Sequence, residues 1–307
     1  MAGTQVQDQT KESLLPTACS TLPPDYQAAS SGCVELTGLN PSASTSSETL
    51  PLYESGVGQQ ASSSSSSSPP STTNLRATHA FQIEAEGHPL FALPLPPKPE
   101  PILVYGVLPT GEVGPLAFES LREKRSSGDC FLTPAGHPLP VCSTTYCFRP
   151  NRPPTIRLMG DIAREEDFTI NGQGYHTRAQ NMRTHLGDFQ WRYASRAERK
   201  AAGASSLLVL DSVTKVAGIG GKRERRRRAV AHLVRNEQLR SQGTRGCTAG
   251  NGGRLLMDLT GLSDAKGEPQ QMEVLIIASC ICMLKKEVDR RRVHQFILMS
   301  GAASGGP

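Results

Sequence analysis

The stretch MEVLIIASCICMLKKEVDRRRVHQFILM, from Met272 to Met299, is the only long apolar segment of the sequence, and it predicts a helix. Between Val274 and Leu284 the apolar residues do not keep to one face, a pattern typical of a helix surrounded by protein. The apolar part rises roughly 20 Å as a helix, short of the roughly 30 Å of hydrocarbon that a membrane span crosses. The segment is therefore predicted to lie at the centre of a folded domain.

Upstream of this helix, short apolar or alternating runs are separated by Gly, Pro and Asn, which is typical of successive strands. The runs predicted as strands are 90–95, 102–107, 116–121, 130–133, 144–148, 155–158, 167–170, 189–193, 206–211, 229–235 and 254–259. Three aromatic residues alternate with polar ones in Phe189 to Tyr193, so the face of Trp191 is predicted to be core. Ser195 to Ala202 is predicted to form a helical turn capped by Ser195.

An antiparallel sheet of so many short strands needs either two layers or closure, because a long open sheet leaves its edges exposed. An apolar helix after the last strand supplies the filling of a closed barrel. The predicted fold class is therefore mainly β: a closed antiparallel barrel of about twelve strands around a central apolar C-terminal helix at 272–299, in a domain spanning 79–307.

Three segments carry a resemblance to a known family: FQWRYASRAERKAAGASSLLVLD, AGNGGRLLMDL and MEVLIIASCICMLKKEVDRRR. With the order of strands and helix, they resemble the tubby-like C-terminal superfamily, in particular fungal members related to LURP-one and scramblase-type proteins. The resemblance covers about residues 81–300. It implies a twelve-stranded barrel around a hydrophobic helix and a phosphoinositide-binding surface, without assigning lipid-binding roles to specific residues of this sequence.

Residues 1–78 are rich in Ser, Thr, Pro and Gln and include a run of serines at 62–68. They contain too few large apolar side chains to offset the entropy of ordering, so a disordered tail is predicted. Two basic against six acidic residues give this tail a net charge of about −4, which leaves about +9 on the remainder. A basic folded domain suits an anionic partner, although a solvated surface also accounts for a modest positive excess.

The tail contains Leu22-Pro23-Pro24-Asp25-Tyr26, which includes a PPxY motif. Pro23 and Pro24 preset a polyproline II turn, and Tyr26 follows at the spacing that the grooves of a WW domain accept. The predicted partner is a WW-domain protein such as a ubiquitin ligase. The alternative is a chance occurrence in a proline-rich tail.

The strongest local charge signal is Lys222, Arg223 and, after Glu224, Arg225, Arg226, Arg227 and Arg228, next to Gly220 and Gly221. Six cations in seven residues, predicted to lie on a loop insertion near 215–228, are a candidate site for anionic phospholipid, possessing enough charge to meet several phosphates. The same run is also consistent with a nuclear import signal or a nucleic-acid contact. The third interpretation is a solvated loop without a partner.

A second basic group lies in the second half of the predicted helix, at Lys285, Lys286 and Arg290 to Arg292. Cations near a helix C-terminus complement the helix dipole, and Glu287 stands four residues before Arg291, the spacing of an ion pair along a helix. A structural role is therefore expected for this group.

The sequence predicts neither an enzyme nor a metal or cofactor site. Its seven histidines include no HExxH pair, and no serine stands in a GxSxG elbow. Its eight cysteines form no CxxC pair, so buried free thiols in a reducing compartment are expected. The first residues lack the basic start and apolar core of a secretory signal, which favours a cytoplasmic protein with the nucleus as the alternative.

Overall fold

In the computed structural model, twelve strands form a closed antiparallel barrel around a C-terminal helix, confirming the predicted fold class. The structure describes residues 75–90, 92–93, 101–122, 128–146, 153–164, 166–172, 177–217, 223–241, 244 and 248–303. Each strand pairs with its neighbours along the chain, and β1 closes the barrel between β2 and β12. The predicted tail, apart from residues 75–78, lies outside the described residues.

The strands are short except for one long pair. Their bounds are β1 (His79–Glu84), β2 (Ile102–Val107), β3 (Val113–Leu121), β4 (Cys130–Pro134), β5 (Cys142–Thr145), β6 (Thr155–Leu158), β7 (Phe168–Gly172), β8 (Gln180–Thr184), β9 (Gly187–Tyr193), β10 (Ser206–Ala217), β11 (Arg223–Arg235) and β12 (Gly253–Met257). A short helix, α1 (Arg196–Ala201), follows β9. Ser195 and Glu198 form its capping box, as the Ser195 cap predicted.

The C-terminal helix, α2 (Glu268–Ala303), is four residues longer at each end than the predicted 272–299. Pro269 lies in its first turn, where the missing backbone donor removes no helical hydrogen bond. From Met272 to Leu284 almost every side chain is buried, whichever way it points, because the barrel surrounds this part of the helix. From Lys285 onward the side chains are half-buried and then mostly exposed, so the helix leaves the barrel there.

Trp191 on β9 joins the barrel wall to the central helix. Its ring is fully buried in the main core, as predicted, and its indole N–H donates a 3.0 Å hydrogen bond to the Ser279 hydroxyl. Ser279 in turn donates to the Ile276 carbonyl oxygen at 3.2 Å, within the same turn of α2. The Trp191 indole and the Ser279 hydroxyl, both buried, are therefore satisfied by hydrogen bonds.

Four of the eight cysteines are described, and all four are buried free thiols, as expected. They are Cys130, Cys142, Cys280 and Cys282. Burial raises the pKa of Cys282 to about 12, so the thiol is protonated and unreactive at neutral pH.

Two strands, β1 and β8, were not predicted. One predicted strand, 90–95, is wrong at its described positions. In β8 only Gln180 and Met182 are buried, so its mostly polar sequence gives little apolar signal. Within 90–95, residues 90, 92 and 93 are not strand, and the others lie outside the described residues. Prolines at 89, 94 and 96 withhold the backbone donors that a ladder requires.

The loop insertion predicted near 215–228 is instead a continuation of two strands. β10 extends to Ala217 and β11 begins at Arg223, so only 218–222, which are not described, separate them. The register runs without a break from the Ser212 and Arg228 pair to the Ala217 and Arg223 pair. The start of β11 was not predicted as strand because its arginine side chains are exposed, and an exposed strand needs no apolar alternation.

We predict that Glu273→Gln stabilises the protein above neutral pH and has little effect below pH about 4. Glu273 lies on α2 among the core residues, and burial raises its pKa to about 7. The folded state therefore holds a proton that the unfolded state releases near pH 4.3, so the native protein loses stability as the pH rises from about 4 through 7.

Urea unfolding followed by circular dichroism, at pH 4, 6 and 8, measures this effect. The stability difference between Glu273→Gln and the native chain grows with pH, to roughly 2–3 kcal/mol at pH 8. Glu112→Gln, at an exposed turn position, is the matched control and leaves the pH profile unchanged. A constant difference across the three pH values contradicts the prediction.

Candidate functional site

The long pair β10 and β11 extends beyond the strands on either side of it. β9 pairs with β10 only as far as Ser212, and β12 pairs with β11 only from Ala231 to Val234. A β-bulge between Leu210 and Asp211 lies where the pair leaves the barrel wall, a position where such bulges are common. We call the two-stranded extension, residues 212–217 and 223–228, the basic ribbon.

One face of the basic ribbon is positively charged. Lys215 is directly opposite Arg225, and Val213 is opposite Arg227. Because side chains alternate along a strand, Arg225 and Arg227 share this face with Lys215, at a spacing of roughly 7 Å along the strand. All three cations are exposed, and in the described part of the chain none of them forms an ion pair.

The opposite face of the ribbon is partly neutralised. Arg226 and Arg228 share it with Glu224. Arg228 forms a 3.3 Å ion pair with Asp258 and donates to the Thr260 carbonyl oxygen. The predicted run is therefore divided between two faces, of which the Arg225 and Arg227 face is the more strongly cationic.

A half-buried ion network, in which only Asp211 is fully buried, lies beside the base of the ribbon. Arg192 on β9 donates to Asp211 at 2.6 Å and to both oxygens of Glu198 at 2.8 and 2.9 Å. Hydrogen bonds from Arg192 and from Ser195 lower the pKa of Glu198 to about 2. This network holds α1 against the outside of the barrel, next to the strand from which the ribbon emerges.

Several predicted site residues have no described side chain. Arg223 is in β11, but only its backbone is described, and Lys222 lies outside the described residues. Pro23, Pro24 and Tyr26 also lie outside them. The structure thus brings Arg225 and Arg227 together with Lys215, a residue that the sequence analysis did not single out.

A second basic site lies at the other end of β10 and β11, where α2 leaves the barrel. It is a cavity of about 250 Å³, which we call the arginine cavity. Ser206 lines the cavity and Ala217 lies at the end of the ribbon, so the eleven residue spacings between them along β10 separate the two sites by roughly 35 Å. The lining residues are Arg178, Tyr193, Ser206, Arg235, Arg240, Thr248, Ala249, Asn251, Glu287, Arg290, Arg291 and His294.

The arginine cavity is organised around the buried ion pair of Arg235 and Glu287. Two nitrogens of Arg235 donate to the two carboxylate oxygens at 2.7 and 2.8 Å, the bidentate geometry that gives the strongest such pairs. The Tyr193 hydroxyl also donates to Glu287 at 2.7 Å, as does the Gly250 N–H at 3.1 Å. Burial opposes the charge of Glu287, but these donors hold its pKa below the ordinary value.

Glycine is required where the β11–β12 connection passes over α2. Gly250 has a φ of +78°, and a Cβ there would lie 2.4 Å from Val288 and 2.8 Å from the Leu284 carbonyl oxygen. The close approach lets the Gly250 N–H reach Glu287. This glycine-rich segment forms a tight turn with positive φ at Gly250. The same turn forms one wall of the cavity.

Four of the five cavity arginines lack an acidic partner within the described residues. They are Arg178, Arg240, Arg290 and Arg291. Arg178 lies over the Tyr193 ring at 5.6 Å, and Arg240 donates to the Ser205 hydroxyl at 3.0 Å. One terminal nitrogen of Arg291 is buried and has no hydrogen-bond partner among the described residues.

This arrangement corrects the pairing expected from helical spacing. Glu287 is bonded to Arg235, on β11, and not to Arg291 four residues along α2. Glu287 pairs with Arg235 because Arg235 is almost fully buried facing the helix, where an unpaired charge is most costly. The other cavity arginines come from separate segments, so no local sequence signal marked them as one site.

Neither basic site is accompanied by a metal cluster or a membrane helix in the described ranges. No group of three His, Cys, Asp or Glu side chains there is arranged to hold a metal ion. No described helix is long and apolar enough to cross a membrane. No protein family, curated protein or solved structure matches the chain in sequence or structure comparisons. The features of the described residues that indicate a function are therefore the geometry and charge of the two basic sites.

We predict that Glu287→Gln destabilises the protein by about 3–5 kcal/mol, because it leaves the buried Arg235 without its counter-charge. The measurement is the free energy of unfolding in urea at pH 7. Glu237→Gln is the matched control, at an exposed position on the turn after β11, and leaves the unfolding midpoint unchanged. An unchanged midpoint in Glu287→Gln would show that the pair does not hold α2 in the barrel.

Proposed function

We propose that the protein is a non-enzymatic adaptor that binds anionic phospholipid at a cytosolic membrane surface through its basic ribbon. The observation that supports this proposal is the ribbon face formed by Lys215, Arg225 and Arg227, which is exposed and has no acidic partner in the described residues. Each cation near an anionic membrane surface contributes about 1 kcal/mol. Three on one face are enough for weak, reversible attachment.

Two features favour a membrane surface as the partner of this face. Lipid binding requires the basic run to lie beside other cations on one face, and Lys215 satisfies that requirement. The ribbon also projects beyond β9 and β12, so its cations approach a flat surface before the barrel does.

A nuclear import signal or nucleic-acid contact requires only that the arginines be exposed, which the ribbon also provides. Nucleic acid is therefore the competing partner in the test below. A duplex binds through counterion release along its phosphates, whereas vesicle binding depends on the fraction of anionic lipid. The two partners are distinguished by direct competition.

We expect Arg225→Gln/Arg227→Gln to reduce binding to phosphatidylserine vesicles by about tenfold or more, since two cations near the membrane are removed. Co-sedimentation of the full chain with neutral and anionic vesicles, over a salt series, measures this effect. The native chain binds only the anionic vesicles and dissociates as salt rises.

Arg196→Gln/Lys200→Gln is the matched control for the ribbon variant. It removes the same charge from exposed positions on α1 and is expected to change vesicle binding little. Equal losses in the two variants would mean that net charge alone attracts the protein. Absence of vesicle binding at low salt, or displacement from vesicles by equimolar duplex DNA, contradicts the membrane proposal.

We also propose that Pro23, Pro24 and Tyr26 recruit a WW-domain partner such as a ubiquitin ligase to the membrane-bound barrel. The support is the PPxY spacing alone, because this segment is outside the described residues. The adaptor would then join a lipid surface to a partner through two separate parts of one chain.

Titration of the full chain with an isolated WW domain from a ubiquitin ligase tests the tail. Tyr26→Ala is expected to weaken binding at least about tenfold, because the ring fills one of the domain's grooves. Tyr53→Ala, in the Leu50-Pro51-Leu52-Tyr53 segment that lacks the second proline, is the control and is expected to bind normally. Equal binding of the WW domain by both variants contradicts the proposal that Tyr26 recruits it.

We further propose that the chain is a member of the tubby-like C-terminal superfamily. A closed twelve-strand barrel around an apolar C-terminal helix is the architecture that the sequence resemblance implied, and it supports this assignment. A fold by itself is compatible with many functions, so the support for lipid binding is the charge of the basic ribbon and not family membership.

A further inference from the structure

The arginine cavity has a composition that a purely structural role does not require. Five arginines and one carboxylate give its lining a formal charge of about +4, with His294 neutral. Glu287 is already neutralised by its bidentate pair with Arg235. Like charges that line one cavity repel one another, and an anion bound between them relieves that repulsion.

The geometry points to an anion site. Arg178, Arg240, Arg290 and Arg291 come from three separate segments and line one concave space without an acidic partner among the described residues. A terminal nitrogen of Arg291 and the Nε of Arg240 are buried and have no hydrogen-bond partner there. Buried donors of this kind are nearly always satisfied in a native protein, by water or by a ligand.

Size and charge define the class of ligand. A volume of about 250 Å³ lies below the range that drug-sized ligands occupy, so the ligand is compact. Guanidinium groups bind phosphate oxygens in a bidentate manner, and each phosphomonoester carries a charge of about −1.5 to −2 at pH 7. Two phosphate groups on one small molecule therefore balance the four arginines that lack acidic partners.

We propose that the arginine cavity binds a compact molecule carrying two or more phosphate groups, either as a free metabolite or as a phosphorylated lipid headgroup. Arg290 and Arg291 contribute from α2, Arg178 from the segment before β8, and Arg240 from the turn after β11. Arg235 and Glu287 do not bind the ligand but fix the position of α2 on which two of the binding arginines depend.

The arginine cavity and the proposed lipid-binding ribbon lie at opposite ends of β10 and β11. The cavity lies at the Ser206 and Arg235 end of β10 and β11, and the ribbon lies at the Ala217 and Arg223 end. Beyond the cavity, α2 continues into exposed apolar residues, with Phe296 63% and Leu298 73% exposed. Apolar side chains next to a phosphate site are consistent with a lipid, so the experiment includes a lipid arm.

Isothermal titration of the full chain with inositol 1,4,5-trisphosphate, inorganic pyrophosphate and orthophosphate tests the site at physiological salt. We expect one molecule of trisphosphate or pyrophosphate to bind per chain, at least about tenfold more tightly than orthophosphate, because a second phosphate engages further guanidinium groups. Binding of orthophosphate as tight as that of trisphosphate, or no binding of any of the three, overturns the proposal.

The variant Arg290→Gln/Arg291→Gln is expected to weaken trisphosphate binding about tenfold to a hundredfold. Arg225→Gln/Arg227→Gln on the ribbon removes the same charge at the other end of the strands and is expected to bind trisphosphate normally. Equal losses in both variants would show a diffuse effect of net charge and overturn the proposal. Vesicle binding through the ribbon fails or succeeds independently, because each variant alters only one site.

Folding of the α2 variant is checked by the fluorescence of Trp191, the only tryptophan, which lies in the core. If that variant unfolds, Arg178→Gln/Arg240→Gln is used instead, because neither arginine forms an ion pair in the described residues. The same loss of trisphosphate binding is expected. Normal binding by a folded variant of either kind overturns the proposal.

Vesicles containing phosphatidylinositol 4,5-bisphosphate identify the source of the phosphate groups. If the ligand is a lipid headgroup, soluble trisphosphate displaces the chain from these vesicles, and the Arg290→Gln/Arg291→Gln variant loses any preference over phosphatidylserine vesicles of equal charge. If the ligand is a free metabolite, vesicle binding is the same in the variant and the native chain. Both results support a polyphosphate site, provided that the soluble probe binds as expected.

Discussion

The structure depends on filling the interior of a twelve-strand barrel. A barrel of about eight strands is filled by its own inward side chains, whereas a larger one encloses additional space. Here α2 occupies that space, and the residues from Met272 to Leu284 are buried almost without regard to direction. The indole of Trp191 and the hydroxyl of Ser279 fix the helix against β9 by the hydrogen bond between them. Removing the helix would leave a cavity that neither water nor the strands can fill favourably.

The charged second half of α2 follows from the same constraint. The helix continues beyond its buried part, and at Lys285 its surroundings change from apolar wall to rim. Glu287 is the first carboxylate beyond the buried part, and Arg235, Tyr193 and Gly250 all donate to it. This cluster closes the rim around the helix, and it places Arg290 and Arg291 one turn further on, beside an open cavity.

Strand length separates the two basic sites. β10 and β11 are twice as long as most of their neighbours, so one end reaches the rim where α2 emerges and the other projects as the basic ribbon. At roughly 35 Å, the two sites are several Debye lengths apart at physiological salt and act independently. Charge removed from one therefore leaves the other intact, which is the physical basis of using each as the control for the other.

Much of the fold was predictable from the sequence, and the candidate sites were only partly so. β2 and β6 have the predicted bounds, the Trp191 face is core, and Ser195 caps α1, because apolar alternation and capping are local properties. β8 was missed because its sequence is mostly polar, and the start of β11 was read as a loop because exposed arginines carry no strand signal.

The sequence by itself determined that an apolar helix lies inside a closed β domain, because the composition and periodicity of apolar residues indicate which segments are buried. It also determined that Arg225 to Arg228 form a concentrated positive charge. Only the tertiary structure decided that Arg235, and not Arg291, neutralises Glu287, and that arginines from four parts of the chain surround one cavity. The reason is that electrostatic energy depends on distance in space, and barrel closure brings together residues that are more than a hundred positions apart.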